Sequence, residues 1–132
     1  MPKLTISTPI AMVALLACCF SSPLTARDTN QLSPVEFKDK WGQVIFCQRI
    51  YKIPSVQSRL YSFDVEHCDK AGQLMLNAAT RYPAQEQIQL KNQAERHAAR
   101  LSGNTAEPYH SVPACRTYCR DLAETLDKRN ER

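Results

Sequence analysis

The sequence predicts an all-α fold: a small four-helix bundle stapled by two disulfides and preceded by a signal peptide. Apolar residues recur at steps of three and four in four segments divided by proline or glycine signals. No segment alternates with the period of two that a half-buried strand requires. Four cysteines remain once the N-terminal apolar stretch is set aside, an even number suited to a disulfide framework in a short exported chain.

The chain of 132 residues has room for one domain. Its first 26 residues carry Lys3 as the only charge, an apolar run from Ile10 to Phe20, and a small, polar stretch containing Pro23 and ending at Ala26. That order is the one a secretory signal peptide follows, and cleavage after Ala26 is expected. The apolar run is about half of the ~20 residues a membrane-spanning helix needs. An alternative cut lies before Cys18, because Leu15–Cys18 reads LLAC and resembles the lipobox of bacterial lipoproteins. That resemblance implies that Cys18 is lipidated and becomes the mature N-terminus. Residues 27–32 read as a flexible leader and 33–132 as the helical domain.

The first helix begins at Ser33-Pro34-Val35-Glu36. Serine caps, proline suits the first helical position, and Glu36 stands three residues on to close a capping box. Phe37, Trp41, Val44, Ile45 and Tyr51 form its apolar face, which Phe46, Ile50 and Ile53 widen. It should stop near Lys52, ahead of Pro54, and form the centre of the bundle. Residues 54–62 read as loop or an irregular turn, with Leu60, Tyr61 and Phe63 tucked beneath. Asp64 is expected to cap a second helix reaching Tyr82, with Val65, Cys68, Gly72, Met75, Ala79 and Tyr82 on its inner face. The third helix, from Ala84 to Leu101, presents a narrow stripe of Ile88, Leu90, Ala94, Ala98 and Leu101 before the Ser102-Gly103-Asn104 stop. A proline-bounded loop leads to the fourth helix near Pro113, which carries Cys115, Cys119, Leu122 and Leu126 on one face. Its charged tail should fray.

Cys115 and Cys119 lie one turn apart, so their Cβ atoms stand about 5–6 Å from each other on a helix. A disulfide needs ~3.8 Å. Each is therefore expected to reach a different helix. In an up-down-up-down bundle, Cys47, Cys68, Cys115 and Cys119 all collect at one end. Depth counted from the expected helix ends pairs Cys47 with Cys119 and Cys68 with Cys115; the alternative is Cys47–Cys115 with Cys68–Cys119. The cysteine spacings lack the CxxC knuckles of zinc sites, the CxxC of thioredoxin-like redox pairs and the CxxCH of haem attachment.

Asp64, Glu66, His67 and Asp69 crowd the start of the second helix, where acidic side chains complement the helix dipole. His97 reads as a surface residue. No nucleophile elbow, metalloprotease helix, P-loop or dinucleotide fingerprint occurs. Charges of both signs are interspersed, and the +4 formal charge falls by one with Lys3, so neither a nucleic-acid tail nor a polybasic membrane patch is expected. The expectation is a non-enzymatic chain without metal or cofactor, touching a membrane only through a lipid on Cys18. It would be an exported binding or accessory protein of a bacterial envelope, acting through protein–protein contact in the manner of an inhibitor, an immunity protein or a chaperone. Alternatives are a lipid-anchored structural component of the envelope and, more distantly, a metal carrier or enzyme. Tyr61 and Phe63, before the second helix, and Tyr109 and His110, before the fourth, are the candidate partner-binding residues.

Overall fold

The computed structural model describes residues 32–130; the signal peptide, Cys18 and the leader up to residue 31 lie outside the described residues. Five α-helices and one turn of 3-10 helix follow one another, with no strand among the described residues: α1 (Pro34–Tyr51), α2 (Pro54–Gln57), α3 (Ser62–Ala79), α4 (Ala84–Gly103), the 3-10 turn (Pro108–Ser111) and α5 (Val112–Asn130). Among the described residues, no helix is long and apolar enough to cross a membrane.

α1 starts as its sequence predicts. The Ser33 hydroxyl accepts from the Glu36 amide, and the Glu36 carboxylate accepts from the Ser33 amide, each at 3.3 Å. Its buried side chains (Phe37, Trp41, Val44, Phe46, Cys47, Ile50 and Tyr51) point in more than one direction, as befits a helix enclosed by neighbours. α4 packs mainly against α1, while α3 and α5 pair with each other and also pack on α1. α1 and α4 run parallel, and α3 and α5 run opposite to them. Phe37 and Trp41 therefore meet Leu90, Met75 and Leu126 at one end, whereas Cys47 and Ile50 meet Ala98, Cys68 and Cys115 at the other.

Gly42 sets the separation of α1 and α4. A Cβ there would lie 2.7 Å from the Ala94 carbonyl oxygen and 2.7 and 2.8 Å from Cδ2 and Cβ of His97. His97 is accordingly not the surface residue expected: it is 25% exposed, wedged against α1 with Nδ1 3.8 Å from an Asp39 carboxylate oxygen. Ile88 also departs from expectation, lying outside the buried stripe at 56% exposure, and the contact with α1 rests on Leu90, Ala94 and Ala98.

Leu32, assigned to the leader, belongs to the domain. It packs against the core, and its carbonyl accepts from the Tyr82 hydroxyl at 2.9 Å. The ambiguous stretch after Ile53 forms α2 and buries Val56, the residue that plugs the end of the core in place of the expected Tyr61 and Phe63. Helix α5 continues to Asn130 rather than fraying at Asp127, which pairs with Lys70 of α3.

The four cysteines gather at one end of the bundle, and α5 sends one staple to each of two helices. The pairing is Cys47–Cys115 and Cys68–Cys119, the reverse of the favoured expectation. Counting depth was sound, but two helix ends were misplaced. α1 stops at Tyr51 rather than near Lys52, and α3 begins at Ser62 rather than after an Asp64 cap. Cys47 and Cys115 thus become the shallow pair, and Cys68 and Cys119 the deep one. With sequence separations of 68 and 51, each bond contributes about 4 kcal/mol by loop-closure entropy.

Candidate functional site

α3 opens with an arrangement that its sequence conceals. Asp64 stands at the third position of the helix instead of capping it, and its carboxylate accepts the Tyr61 amide at 2.9 Å. Asp64 is fully buried and faces Arg116, in the second turn of α5. The guanidinium donates from Nε at 2.6 Å and from an Nη at 2.9 Å, one bond to each carboxylate oxygen. Burial pushes the Asp64 pKa upward, yet the Arg116 hydrogen bonds, the Tyr61 amide and the guanidinium charge outweigh it and hold the carboxyl below the usual range. The pair lies one turn nearer the helix starts than Cys68–Cys119, so a covalent and an ionic cross-link succeed each other along the same two helices.

These cross-links hold aromatic rings at the surface. Arg116 stacks over the Tyr61 ring at 4.9 Å on the way to its carboxylate partner. Tyr61 in turn lies flat on Phe63, with centroids 5.2 Å apart and planes 9° from parallel. The rings remain 59% and 44% exposed. Two residues before Tyr61, Arg59 covers the ring of Tyr109 at 4.3 Å. Tyr109 also packs edge-on against His110 and donates its hydroxyl to Glu107. The Arg59–Tyr61 segment thus connects the two ring pairs proposed from the sequence, and the structure brings all four residues to the stapled end. Their roles differ: Tyr109 is half-buried against the core, as a covering ring would be, whereas Tyr61 and Phe63 stand out from it.

Beside the Tyr61 ring, a cleft of about 480 Å³ opens between the end of α1, α2 and the start of α3. Tyr51, Lys52, Gln57, Tyr61, Ser62 and Asp69 are among the residues that line it. The Tyr51 hydroxyl is buried without a hydrogen-bond partner among the described residues. Burial, reinforced by the Asp64 charge, pushes its pKa to about 12, which keeps it a neutral donor. The Asp69 carboxylate accepts from Gln48 Nε2, which is also within 3.5 Å of the Cys68 carbonyl.

Among the described residues, no group of three His, Cys, Asp or Glu is placed to hold a metal ion. All four cysteines of the domain are consumed in disulfides, which suits an oxidising compartment. The Asp64–Arg116 pair escaped the sequence reading, although a signal for it exists. Asp64 precedes Cys68 by one turn and Arg116 precedes Cys119 by just under one, so the observed pairing on parallel helices brings them face to face. Comparison of the chain with protein-family models, with characterised proteins and with solved structures returns no match.

Proposed function

We propose that this is an exported, disulfide-stapled binding or accessory protein of a bacterial envelope, inhibitor-, immunity- or chaperone-like, that docks a protein partner on its stapled end. The observation that carries this reading is the Tyr61–Phe63 stack. Two large aromatic rings remain about half in water while their helix start is fixed by the Asp64–Arg116 bonds and by Cys68–Cys119. Aromatic residues dominate binding energy at protein interfaces, and rigidity established before binding lowers the entropic cost of association.

The test is capture from the native envelope with the mature protein as bait, comparing wild type with Tyr61→Ala/Phe63→Ala. A stoichiometric partner retained by wild type and lost with the double variant is expected. Exposed rings contribute little to folding, so the variant should stay within about 1 kcal/mol of wild type. Identical captured proteins with both baits would remove the basis for the proposal. The LLAC sequence ending at Cys18 favours a second reading, in which a lipid anchors the domain as a structural component of the envelope. Intact mass of the mature protein separates a chain starting at Arg27 from an acylated one starting at Cys18.

A further inference from the structure

We propose that the native cysteine pairing is reached through a Cys47–Cys68 bond that has to be rearranged, and that a dithiol enzyme of the disulfide-isomerase class is therefore a maturation partner of this chain. The inference needs only an oxidising compartment and is independent of the docking reading above.

The two bonds interleave. Among the described residues, the first cysteine joins the third and the second joins the fourth. Closing them spans 68 and 51 positions, whereas Cys47 and Cys68 stand 21 apart. Ring closure in an unfolded chain falls off as about the 3/2 power of loop length, so Cys47 meets Cys68 about sixfold more often than it meets Cys115. Export with the N-terminus leading, part of the reading above, would add to that bias by presenting Cys47 and Cys68 first. Once these two are joined, Cys115 and Cys119 are left to bond each other. They stand four positions apart in α5, where a helix holds Cβ atoms about 5–6 Å apart against the ~3.8 Å of a disulfide. The consecutively paired isomer therefore cannot form the first two turns of α5, which place Arg116 on Asp64. It is a trap, with both bonds made and no thiol left to undo them.

The exit is an exchange that consumes no oxidant. A thiolate of the enzyme attacks Cys47 Sγ, which breaks the Cys47–Cys68 bond and releases the Cys68 thiolate. That thiolate attacks Cys119 Sγ, forming Cys68–Cys119 and releasing the Cys115 thiolate. Cys115 then attacks Cys47 Sγ in the mixed disulfide, forming Cys47–Cys115 and returning the enzyme's thiolate. Two bonds of the chain break and two form, with no net transfer of electrons or protons. In the folded chain all four cysteines are at most 1% exposed, so the finished bonds are closed to the enzyme and the exchange runs one way.

The test is oxidative refolding of the reduced, unfolded mature protein, with bonds mapped by mass spectrometry of peptides from acid-quenched samples. With one equivalent of diamide, the earliest one-disulfide species should hold about six Cys47–Cys68 bonds for each Cys47–Cys115. With two equivalents, which leave no free thiol, Cys47–Cys68 with Cys115–Cys119 should be the principal product and should persist. A catalytic amount of reduced protein disulfide isomerase, added without oxidant, should convert that product to Cys47–Cys115 and Cys68–Cys119 about tenfold or more faster than buffer alone. The same enzyme should leave the native protein unchanged. Native pairs predominating in the earliest species or in the diamide product overturn the inference, as does an isolated isomer that the enzyme fails to convert. The experiment uses neither envelope nor docking partner, so its failure leaves the docking reading standing, and failure of the capture experiment leaves this one standing.

Discussion

Replacing Arg116 by Met tests whether the stapled end is organised around a buried charge. Methionine preserves much of the hydrocarbon that lies against Tyr61 but removes the guanidinium. Asp64, fully buried, is then left with the Tyr61 amide as its only hydrogen-bond donor among the described residues. Breaking a buried ion pair on one side costs about 3–5 kcal/mol, against 0–1 kcal/mol for a surface pair. Asp64→Asn should cost less, because the stranded Arg116 is 30% exposed and can regain water. Wild type and Arg116→Met should also respond oppositely to pH. In wild type the Asp64 pKa is depressed, so its contribution is present above about pH 4, the unfolded value, and is lost as pH falls further. In Arg116→Met burial acts unopposed and raises that pKa, so the penalty at pH 7 should shrink on acidification as the carboxyl takes up a proton. Urea unfolding at pH 7 and pH 4.5, with disulfides intact, measures both effects, and the double variant completes the cycle. Equal, pH-independent losses below about 1 kcal/mol in the two single variants would mean that Asp64 is effectively solvated, and the argument for a rigid docking end would fail.

Other consequences are simpler to read. Cys115→Ser should leave Cys47 as a free thiol that is alkylated once the unreduced protein is unfolded in denaturant, because the folded core buries it, and leave Cys68 protected, as peptide mapping after labelling would show; a labelled Cys68 would contradict the observed pairing. Gly42→Ala should destabilise by about 1–3 kcal/mol because its Cβ meets the rigid Ala94 carbonyl, while Gly103→Ala, with open space around it, should stabilise by up to about 1 kcal/mol. Gly72→Ala should be nearly neutral, since only the mobile end of Gln48 must move, and thermal melts of the three variants rank these outcomes. In an alkaline absorbance titration, Tyr51 and Tyr118, both pushed to about 12 chiefly by burial, should ionise after the less hindered tyrosines. Because Tyr51 ionises more readily unfolded than folded, stability present below pH 10 is lost as pH climbs towards 12.

The four long helices were legible because each carries a period near 3.6 and the first three are followed by a proline or glycine signal. Their ends were not legible to within a turn, and the disulfide register turned on that difference. Asp64 looks like a cap from sequence, but Tyr61 takes the cap position and the helix starts at Ser62, and the carboxylate turns inward to Arg116 instead. That pairing joins positions separated by 52 in the sequence, which local patterns do not encode. His97 misled for a related reason. Its neighbours Arg96 and Arg100 are polar, yet the absence of a side chain at Gly42 lets α4 come close enough to half-bury the imidazole. The candidate aromatics were found because loops beside cysteines are few in so short a chain. Which pair stands clear of the core depended on Val56, whose burial in α2 leaves Tyr61 and Phe63 outside.

The location of the staples bears on the proposed role. Loop-closure entropy depends on the logarithm of loop length, so bridges joining these helices at the opposite end, near Phe37 and Leu126, would stabilise the fold about equally well. Stability alone therefore does not select an end. Local rigidity does: both disulfides and the buried ion pair lie within the first two turns of α5, beneath the exposed rings. The opposite end is held by Phe37, Trp41 and Met75 packing, with no covalent link among the described residues. Partial reduction should accordingly loosen the aromatic end first, and a docking surface is the feature of this fold that such loosening would harm most.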